Sequence, residues 1–400
     1  MEWAIKSSKI VLPDAIKSGY LIINGSKITG FREQYQGDDI IDYSEYILQP
    51  GFIDIHIHGW GRGAFAHKGD YASLERMSKD LVHTGTTAYL ATSGTMPNAF
   101  LEASLQQAAD YIESATPKNG AEVIGIHMEG PYISPKYLGM QRDDALQSPS
   151  IAGFEQFNRL ARGHIRSMTL APELDGGLAL IKHLRQQNIT VAAGHTAATF
   201  AEITQAIQEA DLNHFTHSYS AMRGFHHREL GVVGALMYHQ NAYAEVAKQT
   251  GMTIKPEAFD LLYRLKTDNR LVLTTDCVGF ADFAVGDEFY HYLRKQKFKI
   301  ESNGFLRVEN EDGSYSEIDP SDYENVRHLE MSFLESVKAV LPRLERGLLS
   351  VAQMASANPA HLAGVLERKG SLTSGKDADI LVLNDKLDLV QIYCRGCPQL

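Results

Sequence analysis

The sequence predicts an α/β protein built on a (β/α)8 barrel of the TIM type, with a small β-sandwich domain assembled from both chain ends. Two observations carry this expectation. Between residues 49 and 367, eight apolar strand-like runs alternate with segments of helical periodicity, the pattern of a parallel sheet closed on itself. Residues 1–48 and 368–400 instead read as short strands split by turns, and chain ends often meet in space. The length agrees, since 400 residues exceed one ordinary domain but suit a barrel with an appended one.

Taken in order, the first segment holds WAIKSSKIVL and GYLIINGSKITGF, whose Asn-Gly pair marks a hairpin. The barrel strands follow as GFIDIHIHG, TTAYLATSG, EVIGIHMEG, RSMTLAPE, NITVAAGHT, NHFTHS, AYAEVAKQ and RLVLTTDC. Between several of them, YASLERMSKDLVHTG, NAFLEASLQQAADYIES, LALIKHLRQQ and TFAEITQAIQEADL repeat apolar residues every three to four positions, as helices do. Over about 281–330, FKIESNGFLRVENEDGSYSEID breaks the rhythm as a hairpin-rich insertion, expected over the barrel mouth. The stretch MSFLESVKAVLPRLERG returns to helix, and GSLTSGKDADILVLNDKLDLVQIYCRG supplies the last strands of the small domain.

Composition narrows the function classes. Hydrophobic residues make up 44% and charged residues 22%, as in a soluble globular protein. A net charge of −11, from 38 basic and 49 acidic residues, argues against nucleic acid or an anionic membrane as a partner of the whole surface. No run of 18 apolar residues occurs, and MEWAIKSSKIVLPD lacks the basic-then-apolar order of a signal peptide, so the expected location is cytoplasmic. Cys277, Cys394 and Cys397 are too few for a disulfide framework, and CRGC at 394–397 has no second Cys or His pair beside it.

The chemistry starts from PGFIDIHIHG at 50–59. In an extended strand Asp54, His56 and His58 share one face. Two imidazoles aimed at one point invite a metal, although a hydrogen-bonded histidine pair is the plainer reading of this run alone. In such barrels the site lies at the C-terminal ends of the strands. There the first strand carries His56 and His58, the third Glu129, the fifth His195, the sixth His217 and the eighth Asp276. Mixed imidazole and carboxylate ligands suit one or two divalent ions, Zn²⁺ or Fe²⁺, rather than Ca²⁺ or Mg²⁺. A bound ion brings the pKa of its water toward ~7, and Asp276 can pass that proton to a leaving amine. The implied reaction is hydrolysis of an amide or a related carbonyl.

The residues HMEGPYISP at 127–135, LAPE at 170–173, AGHTAAT at 193–199, THSYSAM at 216–222, HHRELGVVGA at 226–235, LTTDCVG at 273–279, SANPA at 356–360 and GSLTSGKDADILVL at 370–383 join PGFIDIHIHG in a wider pattern. Together they resemble the amidohydrolase superfamily, and within it the N-acetylglucosamine-6-phosphate deacetylases. The resemblance implies that Glu129, His195 and His217 hold one metal, that His56 and His58 can hold a second, and that Asp276 is the acid/base. It also implies an anionic N-acetylated small molecule as substrate, and a homodimer in which a neighbour completes the anion pocket. Several substrate positions depart from the family pattern. Gln141 stands where a histidine is usual, and Ser220, before Ala221, stands where an asparagine is usual. Lys248 and Gln249 replace an Asp-Gly-x-His type run, and HLEMS at 328–332 replaces a small-residue motif. Arg228, in RGFHHRE with Arg223, His226 and His227, stands where the family meets phosphate, and an arginine fork suits that anion. Gln141, Ser220, Ala221, Arg228 and Lys248 are therefore the candidate substrate contacts. Two other functions stay open at this point: a deacylase of a different anionic N-acyl compound, and a non-catalytic sugar-binding regulator. His127 is expected to be structural, as are His83, His164, His183, His239, His291 and His361.

Overall fold

The computed structural model describes residues 2–247, 254–279, 285–291, 296–300, 306–310, 312–317 and 330–400. Five strands open the chain: β1 (Glu2–Val11), β2 (Ile16–Asn24), β3 (Lys27–Arg32), β4 (Ile40–Asp42) and β5 (Ile47–Pro50). Eight more follow as β6 (Phe52–Ile57), β7 (Thr86–Ser93), β8 (Glu122–Glu129), β9 (Ile165–Leu170), β10 (Thr190–Ala193), β11 (His214–Phe215), β12 (Tyr243–Ala247) and β13 (Leu271–Thr274). Each pairs in parallel with the next, in sequence order. These are the eight runs that the sequence marks as barrel strands.

Helices cover the outside of this sheet: α1 (Phe65–Lys68), α2 (Tyr71–Leu81), α3 (Asn98–Ser114), α4 (Ile151–Leu160), α5 (Gly177–Gln186), α6 (Phe200–Ala210), α7 (Gly231–Tyr238) and α8 (Pro256–Arg270). After β13 come α9 (Phe333–Val340), α10 (Leu348–Ala352) and α11 (Asn358–Leu362). Because both faces of a parallel sheet are covered, its strands are apolar throughout, and every residue of β6 and β7 is buried. Side chains such as Phe52, Tyr89, Leu105, Met128, Phe215 and Leu273 fill the space between strands and helices. Local capping fixes the helix starts: Asp70 accepts from Ser73 N at 2.7 Å before α2, and Thr199 with Glu202 forms a reciprocal capping box on α6.

The barrel closes where its first and last strands meet. Asp276 N donates to His56 O at 2.8 Å, and His58 N and Gly59 N donate to Cys277 O at 2.8 and 2.9 Å. A Cβ on Gly59 would stand 2.3 Å from Val278 O, so this seam needs glycine. Closure therefore brings His56, His58 and Asp276 together through backbone bonds alone.

Four antiparallel strands, β14 (Glu288–His291), β15 (Gln296–Ile300), β16 (Leu306–Glu309) and β17 (Tyr315–Glu317), stand in the described part of the insertion; within 281–329, residues 281–284, 292–295, 301–305, 311 and 318–329 lie outside the described residues. The chain ends with β18 (Ile380–Leu383), β19 (Leu389–Cys394) and β20 (Cys397–Pro398). They join β5 and β1–β4 in one eight-stranded mixed sheet, with β18 antiparallel to β5. Ile5, Leu21, Leu48, Ile380 and Tyr393 form its own apolar cluster. Cys394 and Cys397 lie opposite each other across β19 and β20 as free thiols.

A buried charge cluster ties this end of the chain to the barrel. Lys369 Nζ lies 2.6 Å from Asp379, 2.7 Å from Glu122 at the start of β8, and 3.1 Å from Asp377. Arg368 adds bonds to Glu122 and Asp377. Among the described residues, no helix is long and apolar enough to cross a membrane.

Candidate metal centre

Glu129, the last residue of β8, stands between two groups of side chains. Its Oε1 lies 3.1 Å from His195 Nε2 and 3.1 Å from His217 Nε2, and those two nitrogens are 3.1 Å apart. Its Oε2 lies 3.1 Å from His58 Nε2. On that second side His56 Nε2 and His58 Nε2 are 3.3 Å apart, and each is 3.5 Å from Asp276 Oδ1. Nitrogen and oxygen ligands about 2.0–2.2 Å from one ion stand roughly 3–3.5 Å from each other. Both groups, Glu129 with His195 and His217, and His56 with His58 and Asp276, have that spacing.

The protonation of the imidazoles fits the same use. His195 Nδ1 faces the carbonyl oxygen of Tyr137 at 2.8 Å; a carbonyl only accepts, so Nδ1 keeps a proton and Nε2 is the lone-pair nitrogen when the ring is neutral. His56 Nδ1 faces the Glu245 carboxylate at 2.9 Å, which leaves His56 Nε2 in the same state when the ring is neutral. Each group thus offers an imidazole lone pair beside a carboxylate, His195 with Glu129 and His56 with Asp276, as a donor set for a divalent cation. Burial opposes the charge on Glu129, but His56 and His195, with hydrogen bonds from His195 and His217, hold its pKa well below the ordinary range. Burial also disfavours protonated His56, yet Glu245, Glu129 and Asp276 outweigh it and raise that pKa well above the usual value. Opposite charges across the centre thus stabilise one another.

The backbone is strained where these residues stand. His195, His217 and Asp276 have φ of 48°, 27° and 51°, a region that residues with a Cβ seldom enter. Such conformations persist where the surroundings over-determine them. Here the surroundings are specific. Glu173, of the LAPE run, accepts from Thr196 Oγ1 and Ala197 N at 2.6 Å each, just after His195. Glu245 Oε2 accepts from His217 N at 3.0 Å. Asp276 is set by the closing seam.

The sequence places Asp54 on the face of His56 and His58; the structure turns it elsewhere. A register shift interrupts β6 between Asp54 and Ile57, and the Asp54 carboxyl takes hydrogen bonds from Thr275 Oγ1 at 2.7 Å and His56 N at 3.2 Å. Burial pushes its pKa up to about 7 against those bonds. Asp54 thus braces the first strand against the last. His127 bonds Thr169 Oγ1 at 2.8 Å inside the core and joins neither group.

Gln141 lies within this centre. Its Nε2 donates to Glu129 Oε2 at 2.5 Å and its Oε1 accepts from Thr95 N at 2.7 Å. The loop that carries it also supplies Tyr137 O and passes so close to His195 that a Cβ on Gly139 would stand 2.9 Å from His195 Cε1. Ser220 N donates to His217 O at 3.0 Å, and Ala221 O accepts from Thr196 N at 3.2 Å, so both lie on the turn joining the two histidine loops. Arg223 is committed to Ala197 O at 2.7 Å. Arg228 is exposed on the same turn as the exposed Phe225, and forms no ion pair among the described residues. Its neighbour Glu229 instead caps Phe200 N and Gly231 N. Lys248 and Gln249 lie outside the described residues.

Sequence reasoning missed Glu245. It is 1% exposed, in the middle of β12, and touches both His56 and the backbone of His217. The available signal was an acid alone in the apolar run AYAEVA, which a buried strand keeps only when the acid is paired.

Known proteins resemble this chain over almost its whole length. The amidohydrolase family model matches residues 47–396. The chain is 33% identical over 393 residues to the N-acetylglucosamine-6-phosphate deacetylase of Bacillus subtilis (strain 168), covering 96% of this chain and 93% of that protein. It is 30% identical over 353 residues to the N-acetylgalactosamine-6-phosphate deacetylase of Escherichia coli O157:H7, covering 88% and 87%. The crystal structure of N-acetylglucosamine-6-phosphate deacetylase from Pasteurella multocida superposes with a TM-score of 0.83 at 23% identity, covering 100% of this chain and 99% of that one, and shares its fold.

Proposed function

The chain belongs to the amidohydrolase family, and on that premise we propose that it is a metal-dependent deacetylase of an N-acetylated amino-sugar phosphate, with N-acetylglucosamine 6-phosphate as its substrate. The observation that carries the chemistry is Glu129, whose two oxygens face two separate groups of ligand nitrogens, with Asp276 beside one of them. Relatives of similar full length are named for this substrate.

Glu129, His195 and His217 would hold one divalent ion and His56 with His58 a second, Zn²⁺ or Fe²⁺ by ligand type. Bound there, such ions supply hydroxide near neutral pH and polarise the acetyl carbonyl. Asp276 moves the proton. Its side chain is about a quarter exposed, at 27%, unlike the buried ligands, so it reaches both water and substrate. It accepts a proton from the attacking water and delivers it to the sugar nitrogen as the C–N bond breaks, leaving acetate and a free amine. Gln141 orients the Glu129 carboxylate by a neutral hydrogen bond and has no proton to exchange, which leaves the acid/base work to Asp276.

Ser220, Ala221 and Arg228, with Gln141 and Lys248, are the proposed substrate contacts. Arg228 offers a free fork for the phosphate, on a turn that also exposes Phe225; a homodimer that buries this turn would place the arginine of one subunit at the site of the other. The enzyme acts in the cytoplasm on a small molecule, without nucleic acid or membrane as partner.

The test is acetate release by protein of measured metal content, from N-acetylglucosamine 6-phosphate, its N-acetylgalactosamine epimer, and unphosphorylated N-acetylglucosamine. The glucosamine phosphate should be preferred over the unphosphorylated sugar by orders of magnitude. A fully loaded protein inert on both phosphates would overturn the proposal. A preference for the galactosamine epimer would move only the substrate.

A further inference from the structure

At the opposite end of the barrel from the metal ligands, a pocket of about 470 Å³ opens between the start of β12, the end of α8 and α11. That size suits a small metabolite. Its lining contains Lys266, Arg270 and His361 and no acidic residue, in a chain whose net charge is −11. Side-chain amides, among them Gln240, Asn241 and Asn269, surround the basic groups.

Lys266 is the unusual member. It is buried, and its Nζ donates to the carbonyls of His239 and Ala242 at 2.7 and 2.8 Å. Among the described residues no carboxylate pairs with it, whereas the other deeply buried lysine, Lys369, has three. Burial, with Arg270 alongside, pulls its pKa down to about 7. Buried lysines are ordinarily paired, because an isolated ammonium is costly away from water. Arg270 is held over the Tyr243 ring, 4.8 Å from its centroid, with a hydrogen bond to the Tyr243 hydroxyl at 3.3 Å. Its buried Nε has no partner. The ring of Tyr243 also lies 5.7 Å from that of His361.

We propose that this pocket is a second ligand site, distinct from the metal centre, that binds a small phosphorylated sugar. The dianionic phosphate would meet the Arg270 fork and Lys266, whose ammonium form it would favour; among the described residues no carboxylate pairs with either, and arginine grips such oxygens in two hydrogen bonds. The amides supply donors and acceptors for sugar hydroxyls. A carboxylate of the same size would leave one of the two cations unmatched.

Calorimetric titration of the whole protein with glucose 6-phosphate tests this, because that ligand has no amide to hydrolyse and its binding is read without turnover. The metal centre would also accept this ligand through Arg228, so the second site is read from binding that persists in an Arg228→Ala protein and responds to the pocket variants. Binding is expected, with Lys266→Met weakening it at least tenfold. Asn269→Asp, at an exposed rim position where a new negative charge cannot disturb the core, should do the same. Affinity unchanged in a correctly folded Asn269→Asp protein, or no binding at all, would overturn the proposal. Equal affinity for inorganic phosphate would overturn the sugar-phosphate assignment, and equal affinity for glucose would overturn the anion argument.

Discussion

Replacing Glu245 by Gln removes one charge behind the metal centre while keeping the side-chain shape. The carboxylate accepts from His56 Nδ1 at 2.9 Å and from His217 N at 3.0 Å. Burial alone would raise its pKa, but His56, by charge and hydrogen bond, and then His214 and His127 draw it down to about 2 from an ordinary 4.5. That displacement corresponds to roughly 3 kcal/mol in favour of the ionised form. The same interaction, seen from His56, keeps the ring proton on Nδ1 and makes Nε2 a better donor. Partners of this kind commonly carry ~10–100-fold in metal affinity, or about 1.4–2.7 kcal/mol, and this falls within what the displacement allows. The assay is competition for zinc between metal-depleted protein and a chromophoric chelator, with circular dichroism to show an intact fold. Weakening of one or two orders of magnitude is expected. A folded Glu245→Gln protein that holds zinc as tightly as the wild type would refute the reasoning and reduce Glu245 to a packing residue.

Two further predictions follow from buried charge. Asp276→Asn should leave metal content unchanged while deacetylation falls by ~10²–10⁴-fold, the usual scale for a lost general acid/base; steady-state rates on metal-quantified protein decide it, and near-normal turnover would remove the assigned role. Lys369→Met should destabilise the fold by about 3–5 kcal/mol in urea unfolding, since it takes the buried ammonium from Asp379 and leaves Glu122 to Arg368, and Asp377 to Arg368 and Lys27. In the wild type, burial would raise the Glu122 pKa, but Lys369 and Arg368 hold it at about 2. Its unfolded form binds protons near 4.5 and its folded form does not, so its contribution is complete above about pH 5 and is lost as pH falls toward 2. Urea midpoints of metal-free protein from pH 5.5 to 3 should drop more steeply in the wild type than in Lys369→Met; parallel slopes would contradict this.

The barrel was legible because each of its strands is an apolar run between turns, a pattern that a strand covered on both faces must have. The candidate metal and proton-transfer residues stood out for the converse reason: His56, His58, Glu129, His195, His217 and Asp276 are polar interruptions at the ends of those runs. What sequence could not supply was the set of partners that turn each ligand. His195 is oriented by a backbone carbonyl 58 residues away, and a carbonyl leaves no mark in residue identity. Asp54 follows the period-two rule on paper, but a bulge in β6 breaks that rule and Thr275 captures the carboxyl. Gln141 could be read as a departure from a family pattern, yet nothing in one chain reveals that its amide turns inward to Glu129.

The same division explains how the chemistry can be kept while substrate contacts drift. Three of the candidate residues, His195, His217 and Asp276, have a left-handed backbone held by Glu173, Glu245 and the closing seam, so a change at any of them disturbs several fixed bonds. The candidate substrate residues Ser220 and Arg228 stand on turns, where substitution costs the scaffold little, whereas Ala221 has a left-handed backbone of its own, with φ of 46°. Gln141 joins the two regions, since it arrives on a loop and bonds directly to Glu129. An amide there serves only as a fixed donor, whereas an imidazole would bring a second titrating group against a carboxylate that must stay ionised. On the proposed roles, an amide at Gln141 would leave proton transfer to Asp276 while still holding the Glu129 carboxylate in place.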